Sequence, residues 1–301
     1  MDSQVVVTVS VITYNSSKFV LETLESIKAQ TYQPLILNVC DDCSTDDTVE
    51  ICEKWIDKNK DRFIETKIIV PEHNTGISGN INRGIDACKT EWLKFIAGDD
   101  LLKPQCIEEY IKYVIVHPDI VVAFSRVDVF GPVKEVVGDV NKVFDYSFFK
   151  LSPSEQYDRL VFKGNCIPAS TSFFNMIRLR ELNIRADERI PLLDDYPMWI
   201  NMLKKSVLFH FVDKALVYYR VGGISSGKSI SSRYRQSLEL FYYYYLFPEW
   251  YKKAPEETIQ KIIRKESSMQ QDIDVILRSP SYKLGNFILK PLKWMRDCLH
   301  L

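Results

Sequence analysis

The sequence predicts an α/β fold: a doubly wound, mostly parallel sheet with helices on both faces, continued by a helical C-terminal extension. Three observations carry this. Short β-branched runs alternate with amphipathic helical segments from Val5 to Asp100. The apolar run Trp92 to Ile96 leads into the paired carboxylates Asp99-Asp100, the pattern of a buried strand that delivers acids to its C-terminal tip. No glycine precedes Gly76, so neither a dinucleotide-binding G-x-G-x-x-G nor a P-loop follows the first strand.

In chain order, Val5 to Ile12 reads as the first central strand. Ser16 or Ser17 is placed to cap a helix with Val20, Leu24 and Ile27 on one face, and Pro34 stops it. Leu35 to Cys40 is a second strand, and the polar turn Asp41 to Asp46 opens a helix with Val49, Cys52 and Ile56 inward. A third strand spans Lys67 to Val70. Ile77, Ile81, Ile85 and Cys88 then form a helical stripe before the strand that ends in Asp99-Asp100. Ile107, Ile111 and Val114 give another helix, and Ile120 to Phe124 with Val127 to Phe130 read as two strands, a hairpin or mixed edge. Ser152-Pro153-Ser154-Glu155 is a capping box with proline at the first helical position. Leu192 to Lys205 is a helix with acids at its start and lysines at its end, matching the macrodipole. Leu208 to Val212 and Ala215 to Val221 read as closing strands. A glycine- and serine-rich loop precedes a helical, aromatic-rich segment from Ile230.

The whole chain sets outer limits. A length of 301 residues suffices for one large domain or a domain with an appendage. A net charge of −1 argues against a nucleic-acid partner. No apolar run reaches the length of a transmembrane helix and the N-terminus lacks a signal-peptide pattern, so a reducing cytoplasm is expected. Seven cysteines, an odd number, agree with that. Cys40-Asp41-Asp42-Cys43 matches C-x-x-C, but two carboxylates between the thiols oppose thiolate formation, and incidental thiols are expected. None of the four histidines has metal-ligand spacing.

Chemistry concentrates at Asp99-Asp100. Paired carboxylates at a strand tip suit Mg²⁺ or Mn²⁺, hard cations that share oxygen ligands with phosphates. The competing reading is a plain turn in which one of the two caps the helix opened by Pro104.

Five segments in order resemble glycosyltransferase family 2, inverting enzymes of GT-A fold, over about residues 5–226. They are Val9 to Asn15, Asp41 to Asp46, Asn74-Thr75-Gly76 through Asn82-Arg83-Gly84, Ala97 to Asp100, and Asp194-Asp195-Tyr196 before Trp199. The sequence departs from the family pattern at Cys43, in place of a glycine, at Ile81, in place of an arginine, and at Ala97, in place of an acid. It also lacks a histidine in Tyr219-Arg220-Val221-Gly222.

The resemblance implies a capsule or O-antigen type of enzyme with a nucleotide-sugar donor. UDP-hexose or UDP-N-acetylhexosamine is expected as donor, and a glycan or lipid-linked saccharide as acceptor. Thr13, Tyr14 and Asn15 would form the nucleotide loop, with Tyr14 stacked on the base and Asp42 accepting its N–H. Asn82 belongs to the donor-side helix motif, and Arg83, Arg220 or Lys228 would supply positive charge. Asp99 is assigned to the ribose, Asp100 to Mn²⁺ or Mg²⁺, Asp195 to the general base and Asp194 to a supporting acid. Acceptor contacts are expected around Ile167-Pro168-Ala169-Ser170 and beyond. The implied division is a domain over 1–226, its nucleotide half about 1–104 and its acceptor half about 105–226, followed by a helical extension over 227–301. The last stretch, Lys283 to Leu301, carries Leu284, Ile288, Leu292, Met295 and Leu299 on one face with lysines and an arginine alongside. It reads equally as a peripheral membrane helix on the inner face of the cell membrane and as a packing helix, with oligomerisation left open. Two rival functions stand beside the enzyme: a non-catalytic nucleotide- or sugar-binding assembly partner, and a nucleotidyltransferase.

Overall fold

The computed structural model describes residues 4–131, 144–221 and 232–253. Two compact units divide the chain, Met1–Leu246 and Phe247–Leu301. The second is described over one helix, Phe247–Lys253. The expected domain boundary at 226, Lys228 and the tail 283–301 all lie outside the described residues.

In the first unit, strands β1 (Val7–Thr13), β2 (Leu35–Asp41), β3 (Glu65–Ile69) and β4 (Trp92–Ala97) alternate with helices α1 (Val20–Lys28), α2 (Thr48–Asn59) and α3 (Ile77–Ala87). After β4 come β5 (Leu101–Leu102), α4 (Cys106–Ile115), β6 (Val122–Phe130), α5 (Pro153–Lys163), β7 (Phe173–Asn175), α6 (Met176–Glu181), α7 (Asp195–Lys204), β8 (Phe209–Arg220) and α8 (Ser232–Phe241). All eight strands form one sheet in the order β3-β2-β1-β4-β7-β6-β8-β5. The left half, β3 to β4, is parallel. Short β7 runs antiparallel to both β4 and β6, and β8 lies parallel to β6. The sheet is mostly parallel with helices on both faces, as the alternation predicts. Every residue of β1 is buried, which is why that strand reads as an unbroken apolar and β-branched run.

Four elements, β6, β8, α2 and α1, differ from the sequence expectation. The two strands expected across 120–130 are one, and so are the two closing strands. β6 and β8 pair along their length with two register shifts, one between Ser125, which faces Val212, and Arg126, which faces Ala215, and one between Arg126 and Val127, which faces Val217. At the first, the two extra residues, Asp213 and Lys214, bulge out to solvent, and Asp213 pairs there with Arg126. A polar dipeptide that looks like a turn is thus a bulge, which interrupts a ladder without ending it. Helix α2 turns inward through Thr48, Cys52 and Trp55 because the Trp55 indole donates to Glu25 of α1 at 2.6 Å. Helix α1 begins at Val20 without a side-chain cap. Of the expected capping serines, Ser16 turns its hydroxyl oxygen back to accept the Tyr14 amide at 3.3 Å, while the Ser16 and Ser17 amides donate to Thr48 Oγ1 at 2.7 Å and to Asp46 at 3.1 Å. The capping box at Ser152 and Glu155 forms as read.

The pairing of β4 with β7 stops at Lys94 and Phe173. Lys94 is wholly buried there, and its ammonium donates to the carbonyls of Phe95 (2.6 Å), Ser170 and Ser172 (3.3 Å). Burial pulls its pKa down to about 8. Three donors on three carbonyls satisfy the head group where the ladder ends. The thiols of Cys40, Cys52 and Cys106 are pushed up to about 12 by burial, so they are unreactive core groups. Among the described residues no helix is long and apolar enough to cross a membrane.

Gly84 sets how closely α3 lies on the sheet, because a Cβ there would come within 2.6 Å of the Phe95 ring. Phe95 is itself packed edge-on against Phe174 at 6.0 Å between centroids, so it has little room to yield. Gly84→Ala is expected to destabilise the fold by about 1–3 kcal/mol, the cost of an overpacked methyl, as a lower urea midpoint at unchanged m-value.

Candidate active site

The register of the parallel half puts three strand tips side by side: Thr13 faces Asp41, and Ile12 faces Ala97. The loops beyond them are sewn together. Thr13 Oγ1 donates to Asp41 at 2.8 Å, and Asp41 also accepts the Ser44 amide at 2.7 Å. Asn15 adopts a left-handed backbone (φ 51°), its amide donates to Ser44 Oγ at 2.8 Å and its side-chain oxygen accepts the Thr45 amide at 2.8 Å. Tyr14, at the tip, is 41% exposed and offers a ring to a ligand. Cys43 is also left-handed (φ 63°). That is the conformation in which the absent glycine would be unstrained.

Asp42 is 2% exposed. It accepts the amides of Thr75 (3.0 Å) and Gly76 (2.7 Å), the Thr75 hydroxyl (2.8 Å) and the Arg83 guanidinium. Arg83 also donates to Thr75 Oγ1 at 2.8 Å and Asn80 at 3.1 Å. Asn80 in turn donates to the carbonyls of Thr13 (3.2 Å) and Cys40 (2.8 Å). The first turn of α3 is thereby fixed to the tips of β1 and β2. Asn82 points the other way. Its amide donates to Ala186 O (3.1 Å) and Glu188 (2.7 Å), and its oxygen accepts the Ala186 amide (3.0 Å). Ser78 Oγ donates to Ile190 O at 2.8 Å. Gly76 (φ 85°) lies so near Pro191 that a Cβ would sit 2.4 Å from its carbonyl oxygen. Asn82 and Arg83 thus face structural partners in this conformation.

The segment held by α3 leads into Asp194 and Asp195, at the start of α7. The helix begins there and not at Leu192, and Asp194 makes no side-chain cap. Asp195 accepts its neighbour's amide, that of Tyr196, at 2.7 Å and the side-chain amide of Asn165 at 2.9 Å. Asn165 is oriented because its own oxygen accepts the Ile167 amide at 3.1 Å. It follows Gly164, which ends α5 in a conformation other residues avoid (φ 95°). No periodic pattern marks Asn165 in the sequence; the glycine before it is the only local signal.

Asp99 and Asp100, 8% and 3% exposed, follow β4. Neither caps α4, whose cap position is Gln105. Asp100 accepts the Arg220 amide at 2.9 Å. The Arg220 guanidinium lies between the rings of Phe19 (4.6 Å) and Phe130 (4.3 Å), donating to Asp99 O at 2.7 Å and Glu22 at 2.7 Å. Glu22, on which the sequence reading is silent, therefore serves to orient Arg220.

One cavity of about 280 Å³ has Asp99, Asp100, Asp194, Asp195 and Arg220 on its walls. The rest of its lining is largely apolar and includes Phe95, Phe174, Met198 and Trp199 together with Ile167-Pro168-Ala169-Ser170. Thr13, Tyr14, Asn15, Asp42, Asn82 and Arg83 are not on its walls: the first four stand at the tips of β1 and β2 or just beyond, Arg83 reaches Asp42 from α3, and Asn82 faces Ala186 and Glu188. Burial and then the neighbouring Asp99 push the Asp100 carboxyl up to about 7. Asp194 and Asp195 are half-buried on the cavity wall. Burial raises both, and the charge of Asp195 raises Asp194 further. Among the described residues no cluster of three or more acids, histidines or cysteines is arranged as a metal cage. The Asp99-Asp100 pair still fits a hard divalent cation. It offers oxygen donors that pay for their crowding in proton affinity, and a Mg²⁺- or Mn²⁺-type ion commonly takes only one or two carboxylates, completing its shell from phosphate and water.

A family model described as glycosyl transferase family 2 matches residues 8–179. An Escherichia coli protein named UDP-Glc:alpha-D-GlcNAc-diphosphoundecaprenol beta-1,3-glucosyltransferase is 27% identical over 228 residues, covering 74% of this chain and 80% of its own. Among solved structures, S. aureus TarS 1-349 in complex with UDP-GlcNAc superposes with a TM-score of 0.58 at 19% identity, over 78% of this chain and 64% of that one. A mannosyltransferase from Pyrobaculum calidifontis, in complex with GDP-Man and Mn²⁺, superposes with a TM-score of 0.55 at 14% identity, over 95% of this chain and 84% of that one. At these identities the two structures speak for the fold, which is of GT-A type.

The Asp194-Asp195 pair is expected to titrate above the ordinary aspartate range, followed by side-chain carboxyl ¹³C shifts. Asn165→Ala removes a hydrogen bond to the charged form and should move the Asp195 titration further up. Asp194→Asn removes a neighbouring acid and should move it down. Movement of both variants in one direction would contradict this electrostatic account.

Proposed function

The chain belongs to glycosyl transferase family 2, and from that premise we propose that it transfers a hexosyl or N-acetylhexosaminyl group from a UDP-sugar, with inversion, to a hydroxyl of a glycan or lipid-linked acceptor in bacterial surface polysaccharide synthesis. The observation that carries the reading is the meeting of two acid pairs, Asp99-Asp100 from the first half of the chain and Asp194-Asp195 from the second, on the walls of one cavity. The name of the E. coli relative supports UDP as nucleotide and a lipid-linked acceptor.

In this reading the donor lies across the strand tips. Tyr14 stacks on the base, and Asp42 accepts the base N–H through Oδ2, which the Gly76 amide occupies only once. Thr13 and Asn15 hold that loop in shape. Asn82 and Arg83 act through others, keeping α3 against the tips and against the segment leading to Asp195. Asp99 takes the ribose hydroxyls, and Arg220, oriented by Glu22, adds positive charge beside the diphosphate. Asp100, with Asp99 beside it, would hold Mg²⁺ or Mn²⁺, which when bound offsets the charge of the departing diphosphate. Asp195 takes the proton from the acceptor hydroxyl. The freed oxygen attacks the anomeric carbon from the face opposite the nucleotide, the bond to the diphosphate oxygen breaks, and UDP leaves with that electron pair. Asp194 is a supporting acid beside it, near the acceptor.

A purely binding relative has no need of a carboxylate positioned like Asp195, and a nucleotidyltransferase would want a glycine loop after β1, where this chain has Thr13-Tyr14-Asn15. The basic and apolar periodicity of residues 283–301 supports peripheral contact with anionic lipid, where a lipid-linked acceptor would be found.

Asp195→Asn keeps the shape but cannot accept the proton. It is expected to cut transfer by about 10²–10⁴ with donor affinity nearly unchanged; near-normal turnover would rule out Asp195 as the base. Asp100→Ala is expected to abolish the strengthening of UDP binding by Mn²⁺ in calorimetry. An unaltered metal effect would move the metal elsewhere.

A further inference from the structure

The cavity wall Ile167-Pro168-Ala169-Ser170 runs into a short 3₁₀ turn, Ala169–Thr171, that is hung on two buried side chains from elsewhere in the fold. Its own hydrogen bonds are few. The Thr171 amide and hydroxyl donate to Pro168 O at 3.0 and 2.8 Å, and the Ser172 amide donates to Ala169 O at 3.0 Å. The next three carbonyls in the chain are taken in turn by the two side chains. Lys94 of β4 donates to Ser170 O and Ser172 O, and the Tyr110 hydroxyl of α4 donates to Thr171 O between them. Both side chains are wholly buried. A buried carbonyl that loses its donor is costly, so the turn is kept where these donors are.

Their position ties the turn to the site. Ile167, Pro168, Ala169, Ser170 and Ser172 line the cavity, whereas Lys94 and Tyr110 do not. From Lys94 the chain runs along β4 and directly into Asp99-Asp100, on the walls of the same cavity. A lysine suits this join better than a neutral donor. An ammonium is costly to bury, and the partners of this one are carbonyls alone. Its three N–H groups let one side chain hold its own strand, through Phe95 O, together with two carbonyls of the turn. Tyr110 adds a second anchor from a different element, its ring stacked on Phe173 at 4.8 Å.

We propose that Lys94 and Tyr110 are positioning residues for the acceptor saccharide: by holding the 167–172 wall to β4 and α4 they set the width of the space in which the acceptor sugar lies. This rests on the reading of the cavity as the acceptor's site. Neither residue touches a ligand; each acts through a backbone carbonyl of the wall. The nucleotide, held at the strand tips in that reading, does not depend on the turn.

The test uses three full-length variants. Lys94→Met keeps the length and the apolar stem but donates nothing, and Tyr110→Phe removes one hydroxyl from an otherwise unchanged ring. Trp55→Phe loses the indole donor to Glu25, away from the cavity lining, and controls for lost stability alone. Each protein is titrated by calorimetry with UDP and Mg²⁺, and then, with both present, with octyl β-glucoside, β-galactoside and β-N-acetylglucosaminide. Lys94→Met and Tyr110→Phe are expected to weaken the hexoside that the wild type binds by about three- to tenfold, the range of one neutral hydrogen bond, with UDP affinity unchanged. In transfer to that hexoside they raise the acceptor KM and leave the UDP-sugar KM as it is. Trp55→Phe lowers the urea midpoint without moving either affinity. Hexoside affinity unchanged in Tyr110→Phe and in a folded Lys94→Met overturns the proposal; should Lys94→Met not fold, Tyr110→Phe decides alone. An equal loss of UDP affinity, or the same hexoside loss in Trp55→Phe, also overturns it by making the role one of general stability. A wild type that binds UDP but no hexoside of the panel refutes the acceptor reading of the cavity, and the proposal with it.

Discussion

Helix α3 binds in two directions at once, and the cavity depends on it. On one side Arg83, Asn80 and the amides of Thr75 and Gly76 secure it to Asp42 and to the tips of β1 and β2. On the other, Asn82 and Ser78 grip the backbone from Ala186 to Ile190. These are hydrogen bonds made away from water, so leaving any of them unmade costs the desolvation of a buried polar group. The helix is consequently a rigid strut between the loop group at the strand tips and the segment that leads into Asp195. Gly84 lets the strut lie flat on β4 and Gly76 lets its first turn pass Pro191.

The electrostatics follow from what the strut brings together. Four carboxylates share a space of about 280 Å³ with the guanidinium of Arg220 on its lining. Like charges in a low-dielectric site raise one another's proton affinity, and Asp100 and Asp194 both move in that direction. Such a site favours whatever neutralises it, whether a cation or a proton. Asn165 moderates the second pair by donating to Asp195, so that this carboxylate stays available as an acceptor of protons while its neighbour takes up more of the repulsion.

Much of this was legible in the residues. Period and β-branching located the strands, and strand order in an α/β chain put Thr13, Asp41 and Asp99-Asp100 at one edge. The functions of single polar residues were less legible because they depend on partners far away in sequence. Ser16 and Ser17 have the chemistry of helix caps, yet their amides bind Thr48 and Asp46 across the loop pair. Asp213-Lys214 has the composition of a turn but bulges from a continuous ladder, since β6 remains beside it on both sides. Asn82 and Arg83 read as donor contacts, while their observed partners are struts. Asn165 is a lone amide in a loop, and no local pattern separates it from any other surface asparagine.

The family match ends at residue 179, before the acids at 194 and 195. Behind those acids lies a later part of the chain. Tyr196 packs on Phe241 at 4.3 Å, the Leu192 amide donates to Ser237 at 3.3 Å, and the Tyr245 hydroxyl donates to Asp187 at 2.8 Å. Residues 186–196 thus rest on 232–246, and the two stretches form one discontinuous unit. Recombination between relatives that exchanged one of these stretches without the other would leave the strand tips intact but the acids at 194 and 195 with nothing behind them.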